Sequence, residues 1–195
     1  MIETFQNSAL LLVDVQNDFC PGGALAVPEG DRVVPVINRL MPLFPVVLAT
    51  ADWHPSNHIS FRERGGPWPP HCIQQTTGAE LHPQIDQSQI DLLLRKATTP
   101  DRDAYSGFEA SDESGRSLDE VLKQSGVSTI YVTGLATDYC VRATVLDGLK
   151  NGYEVLVVTD AVRAVEVAEG DGQRALEEMI EKGAQLIASR EILVK

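Results

Sequence analysis

Cysteine is scarce, with three residues in a chain of 195. That is too few for the disulfide framework of a secreted domain, and it points to a reducing compartment. Long apolar runs are missing. The longest, Ala9 to Val13, falls far short of the roughly 20 residues that cross a bilayer. No basic-then-apolar segment opens the chain, so a cytoplasmic address is expected rather than export. Positive charge is also in short supply. Sixteen Lys and Arg stand against 28 Asp and Glu, a formal charge of −12, with no basic stripe. Nucleic-acid and anionic-membrane partners are therefore not expected. What remains is ordinary for a globular protein: 43% hydrophobic and 23% charged residues, which excludes disordered and low-complexity readings. The length suits one domain, residues 1–195, and no repeat or linker divides it.

The rarest residues are unevenly spread. All four histidines (His54, His58, His71, His82) and both tryptophans (Trp53, Trp68) fall between positions 53 and 82. They lie in one of two segments, about 53–89 and 97–115, that are rich in Pro, Gly and polar residues and lack periodicity. Loops of that length inside a domain are usually functional or disordered, and the Trp and His content argues against disorder in the first.

Elsewhere the pattern is regular. Strand-length apolar runs occur at Ala9–Val15, Val46–Thr50, Ile90–Leu94, Thr129–Thr133, Glu154–Thr159 and, more weakly, Gln185–Ala188. Between most of them lie helical patterns: Asp31–Leu43, Ser117–Ser125, Asp138–Asn151 and Gln173–Lys182. Ser117 and Glu120 stand in capping-box relation, and Gly126, Gly152 and Gly183 mark helix ends. Continuous apolar strands alternating with amphipathic helices predict a six-stranded, mostly parallel, doubly wound sheet in a three-layer α/β/α sandwich.

In such sheets ligands bind beyond the carboxyl ends of the strands. There the sequence brings Asp14, the Asp52-Trp53-His54 triplet, Arg95-Lys96, and Gly134 through Cys140. Cys140 falls in the first turn of a helix capped by Thr137 or Asp138, where the helix dipole favours a thiolate. It is either a nucleophile or a small buried residue. Asp14 is either a desolvated base or a cap. Lys96 is either its ion-pair partner or a lysine snorkelling at the sheet edge. Asp52, His54 and His71 suit a divalent transition metal with open positions, although free histidines are common. His58 is a further candidate ligand, Ser60 or Glu63 would act through water, and Cys72 is a softer alternative. Phe19, Trp68 and Tyr105 either wall a planar ligand or pin the loops.

These residues fall in motifs that resemble the nicotinamidase/pyrazinamidase group of the isochorismatase-like cysteine hydrolases. The carriers are Val13-Asp14-Val15-Gln16-Asn17-Asp18-Phe19 with Pro21-Gly22-Gly23, and Ala51-Asp52-Trp53-His54-Pro55 with Asn57-His58. Trp68-Pro69-Pro70-His71-Cys72, Tyr105-Ser106-Gly107-Phe108 and Gly134-Leu135-Ala136-Thr137-Asp138-Tyr139-Cys140-Val141 complete the set. The resemblance spans nearly the whole chain. It implies Cys140 as nucleophile, Asp14 as base and Lys96 as third member. It implies one divalent metal on Asp52, His54 and His71, most often zinc, with iron or manganese also used. Phe19 and Trp68 would wall the pyridine ring. A cis peptide before Ala136 would turn the Ala136 N–H toward that of Cys140 as an oxyanion hole.

The expected activity is hydrolysis of nicotinamide, and of pyrazinamide, to the acid and ammonia through a thioester, feeding NAD salvage. The expected partner is this small molecule, with a homo-oligomer left open. Three rivals make different predictions: metal-hydroxide hydrolysis with Cys140 a bystander, an amidase for another small carboxamide, and a metal-dependent binding module without turnover.

Overall fold

The structure, a computed structural model, describes residues 5–194. One sheet of six strands runs through it: β1 Ser8–Val13, β2 Val46–Asp52, β3 Leu92–Lys96, β4 Thr129–Leu135, β5 Glu154–Arg163 and β6 Gln185–Ile187. Their order is β3-β2-β1-β4-β5-β6, and every strand pairing is parallel. The winding reverses between β1 and β4, so a crevice opens at their carboxyl ends.

Five helices flank the sheet: α1 Val34–Leu40, α2 Leu118–Gln124, α3 Arg142–Lys150, α4 Asp171–Glu181 and α5 Ser189–Leu193. Strand alternation sends side chains to opposite faces, so two cores result. Leu10 and Leu12 join Ile37 and Leu40 of α1 and Ile192 of α5. Leu11 and Val13 join Leu122 of α2, Val145 of α3 and Met179 of α4. Full burial of each such side chain contributes about 1.5–3 kcal/mol.

Several boundaries differ from the periodicity. The helix expected over 31–43 is α only at Val34–Leu40, with 3-10 turns at Gly30–Val33 and Met41–Leu43. Pro35 fits at the start of the α segment, where its missing N–H costs no bond, whereas Pro42 falls in the closing 3-10 turn. β5 continues to Arg163, beyond the apolar run, after a register shift against β4 between Val132 and Gly134. α4 begins at Asp171, behind a left-handed Gly170. The short α5 carries no sequence signal strong enough to separate it from the chain end.

The connection from β2 to β3 contains no α-helix. It is ordered instead by 3-10 turns and by isolated bridges that pair Gln16 with Leu81, His54 with Ile73, and Phe61 with Trp68. The outer edge of β3 is covered by an antiparallel bridge from Arg95 to Ser111, a common way of blocking edge-to-edge pairing. No helix among the described residues is long and apolar enough to cross a membrane.

Candidate active site

Asp14 follows directly on β1 in a left-handed conformation, φ 49°, which few side chains other than Asp and Asn tolerate. The turn interrupts strand alternation there, and the carboxylate is fully buried. Thr50 of β2 donates its hydroxyl to Asp14 Oδ1 at 2.7 Å. At the end of β3, Lys96 Nζ lies 2.9 Å from Asp14 Oδ2, off the line of a hydrogen bond, so that oxygen has an ion-pair partner but no donor. The same ammonium pairs with Asp52 Oδ1 and donates to the Ala104 carbonyl at 3.2 Å. Lys96 is therefore no edge lysine. It is enclosed, and it bridges two carboxylates where the sequence suggested one.

Cys140 reaches the cluster from the other side of the crevice. Its turn, Thr137–Val141, is π-helical, with the Val141 N–H bonded to the Ala136 carbonyl five residues back. Such wide turns recur at functional sites. The peptide before Ala136 is cis, and Gly134 just ahead has φ 105°. A Cβ at Gly134 would fall 2.0 Å from the Val13 carbonyl oxygen, so only glycine lets β4 approach β1 this closely. The N-cap is Ala136, which has no side-chain cap, and this corrects the Thr137 or Asp138 expectation. Asp138 instead accepts the backbone N–H groups of Val165 and Glu166, tying down the segment after β5.

Lys96 Nζ stands 3.6 Å from Cys140 Sγ. Burial pushes the Cys140 thiol well up, and although Lys96 opposes this, Asp14 and Asp52 reinforce it. Burial thus works against the thiolate that the helix dipole favours. Burial likewise raises Asp14 against the pull of Lys96. Burial also works against charge at Asp52, but Lys96 and His54 outweigh it and hold that carboxyl below its usual range. Burial disfavours the ammonium of Lys96, yet Asp14 and Asp52 keep it charged.

Asp52, His54 and His71 each offer a ligand atom within 4.8 Å of the others, all buried. His54 Nδ1 faces the Ala97 carbonyl at 3.3 Å and His71 Nδ1 the Pro69 carbonyl at 2.8 Å. Donation from Nδ1 leaves the Nε2 lone pairs free, the usual arrangement behind metal-binding imidazoles. His54 Nε2 is 3.6 Å from Asp52 Oδ2. Burial lowers the His71 pKa, favouring the neutral ring that a metal requires. The donor set fits a divalent transition ion. His58 is placed differently. It stacks on His54 at 4.2 Å, but its nitrogens are engaged by Ser60 Oγ at 2.7 Å and the Arg102 carbonyl at 3.0 Å. Neither Cys72 nor Glu63 joins the group either.

A narrow slot leads to Cys140, walled by Phe19, Trp68, Tyr105 and Tyr139 with Leu25, Val27 and Val165. It is far narrower than the open groove between Trp53 and Arg116, and its walls are mainly aromatic and aliphatic. Trp68 Nε1 donates to the Tyr105 hydroxyl at 3.0 Å, and Trp68 meets Tyr139 edge-on. Sequence reasoning missed Tyr139, although its place beside Cys140 was a usable signal. It also missed Gln16, whose amide accepts from the Asp52 N–H and donates to the Asp52 carbonyl, each at 2.8 Å. Nothing in the spacing of a polar residue past a strand distinguishes this second-strand mimic. Trp53 acquires a role outside the slot, with the Arg95 guanidinium 4.2 Å above its ring.

A three-layer α/β protein with a thiol, two carboxylates and an ammonium packed at its switch point belongs structurally with the hydrolases that use a cysteine there. Comparison with known proteins narrows the class. The isochorismatase domain matches residues 8–191, and the chain belongs to that family. The nicotinamidase of Escherichia coli is 44% identical, over 91% of this chain and 93% of the relative. A pyrazinamidase of Pyrococcus horikoshii, crystallised in complex with zinc, is 48% identical with a TM-score of 0.84, covering 93% of this chain and 99% of that one. The L. infantum protein PnC1, solved in complex with nicotinate, is 36% identical with a TM-score of 0.87, over 95% and 94% of the two chains.

Proposed function

We propose that this chain deamidates nicotinamide to nicotinate and ammonia, accepts pyrazinamide, and serves NAD salvage as a single-domain enzyme. The observation that carries the reading is the enclosed Cys140–Lys96–Asp14 cluster beneath a narrow slot walled by aromatic side chains. Asp14 Oδ2, the oxygen without a hydrogen-bond donor, takes the Cys140 proton as sulfur attacks the carboxamide carbon. The backbone N–H groups of Ala136 and Cys140 receive the developing oxyanion. Asp14 returns the proton to departing ammonia and then activates water against the thioester. Lys96 stays charged throughout, holding Asp14 in place and favouring anionic sulfur. Phe19, Trp68 and Tyr105 fix the ring plane.

Asp52, His54 and His71 would hold one divalent ion, zinc by the donor set and by the zinc complex of the Pyrococcus relative. When bound, such an ion supplies an electrophilic anchor for a heteroaromatic nitrogen. The test is ammonia release from nicotinamide by the wild type and by Cys140→Ala. The variant is expected to lose about 10³-fold or more in kcat while keeping its metal content. Turnover within tenfold of wild type would show that Cys140 is a bystander and sink the mechanism.

A further inference from the structure

The carboxylates of Asp14 and Asp52 and the thiol of Cys140 also offer ligand atoms within 4.8 Å of one another, all buried. This second group shares Asp52 with the first. One Asp52 oxygen pairs with Lys96 and the other faces His54, the way a bridging carboxylate serves two neighbouring ions. Asp14 Oδ2, fully buried and without a hydrogen-bond donor, points into it. A thiolate with two carboxylates is a good donor set for zinc or cadmium. Yet a cation already stands among them. Lys96 Nζ is 2.9 Å from Asp14 Oδ2, is paired with Asp52 Oδ1, and lies 3.6 Å from Cys140 Sγ.

We propose that Asp14, Asp52 and Cys140 form a latent thiolate metal site, and that the Lys96 ammonium occupies it so that metal cannot sequester Cys140. An ammonium balances the carboxylates with one positive charge and three donors, and it leaves sulfur free to attack a carbon. A divalent ion in the same place would bond the thiolate directly and end its nucleophilicity. Because the ammonium is tethered to β3, it competes at a high effective concentration against any ion from solution. The neighbouring Asp52–His54–His71 group has no such resident and stays open to metal. The proposal stands on the positions of these four side chains and is independent of which amide is the substrate.

The test uses metal binding and thiol labelling, so its failure is separable from failure of the amidase reading. Full-length wild type, Lys96→Met and Lys96→Gln are stripped and titrated with Co²⁺ and then Cd²⁺. Wild type is expected to take up one equivalent with no sulfur-to-cobalt charge-transfer band. The two variants are expected to take up two, the second bringing that band and slowing iodoacetamide labelling of Cys140 by about tenfold or more. Adding Cys140→Ser to Lys96→Met should restore one equivalent and abolish the band. One equivalent in both variants, or a band that survives Cys140→Ser, overturns the proposal. Should neither variant fold, wild type in millimolar Cd²⁺ decides. Unchanged Cys140 labelling once the first equivalent is bound supports exclusion of metal from sulfur by Lys96, and labelling slowed about tenfold or more refutes it.

Discussion

At the scale of single residues, the site works by opposing environments on chemically similar groups. Asp14 and Asp52 share one lysine, yet burial raises the first while Lys96 and His54 hold the second down. The sign of the resulting pH dependence follows. A base must be unprotonated, so activity is lost as pH falls through the raised pKa of Asp14. The acid limb of kcat/KM, measured with saturating metal, is expected clearly above the ordinary carboxylate value of about 3.9. A limb at or below that value would contradict Asp14 as the base. Asp14, Asp52, His54, Lys96 and Cys140 could be gathered from the sequence because they lie at or just past strand ends, where topology collects reactive groups, whereas His71 comes from the long connection before β3. The pairing of Lys96 with Asp52 as well as Asp14 was not legible, since it depends on how far β2 and β3 extend. The upward pull of burial on the Cys140 thiol was not legible from its helix position, because it depends on how enclosed the site is.

Among elements, β4 lies against β1 at Gly134, beside the crevice, more closely than a side chain permits. Gly134→Ala would place a Cβ 2.0 Å from the Val13 carbonyl oxygen at a φ of 105°. The expected loss is about 3 kcal/mol or more, read as a fall in urea midpoint with unchanged m-value. A loss below 1 kcal/mol would show that the strands separate cheaply. Strand and helix order were readable from alternating apolar runs, since a doubly wound sheet buries its strands on both faces. The π-helical turn at Thr137–Val141 was not, because it differs from α only in which carbonyl each N–H meets. The 53–89 segment was readable as irregular, and its Trp and His content argued against disorder, but the contacts that order it were not readable. Its stability comes from scattered long-range bonds, such as Gln16 to the Ala79 carbonyl and Asp18 to the Cys72 N–H.

For the whole molecule, the Asp52–His54–His71 group joins the end of β2 to the long connection before β3. A metal held there should therefore stabilise the fold as well as serve turnover. At 100 times its Kd, a bound ion adds about 2.7 kcal/mol, or roughly 5–11 °C in Tm for a chain of this size. Chelation is expected to lower Tm by that order and abolish ammonia release, and metal re-addition to restore both. An unchanged Tm would argue that the group binds no ion. The sheet order has one more consequence. Central β1 pairs on one side with β2, but on the other with β4, where Ser8 meets Thr129. A ribosome adding about 5–20 residues per second needs roughly 6–24 s to make the intervening chain. During that interval a strand as apolar as Leu10-Leu11-Leu12 has one flank open in the nascent chain, exposed to whatever else is being translated nearby. Asp14, made early, meets Cys140 only when that wait ends.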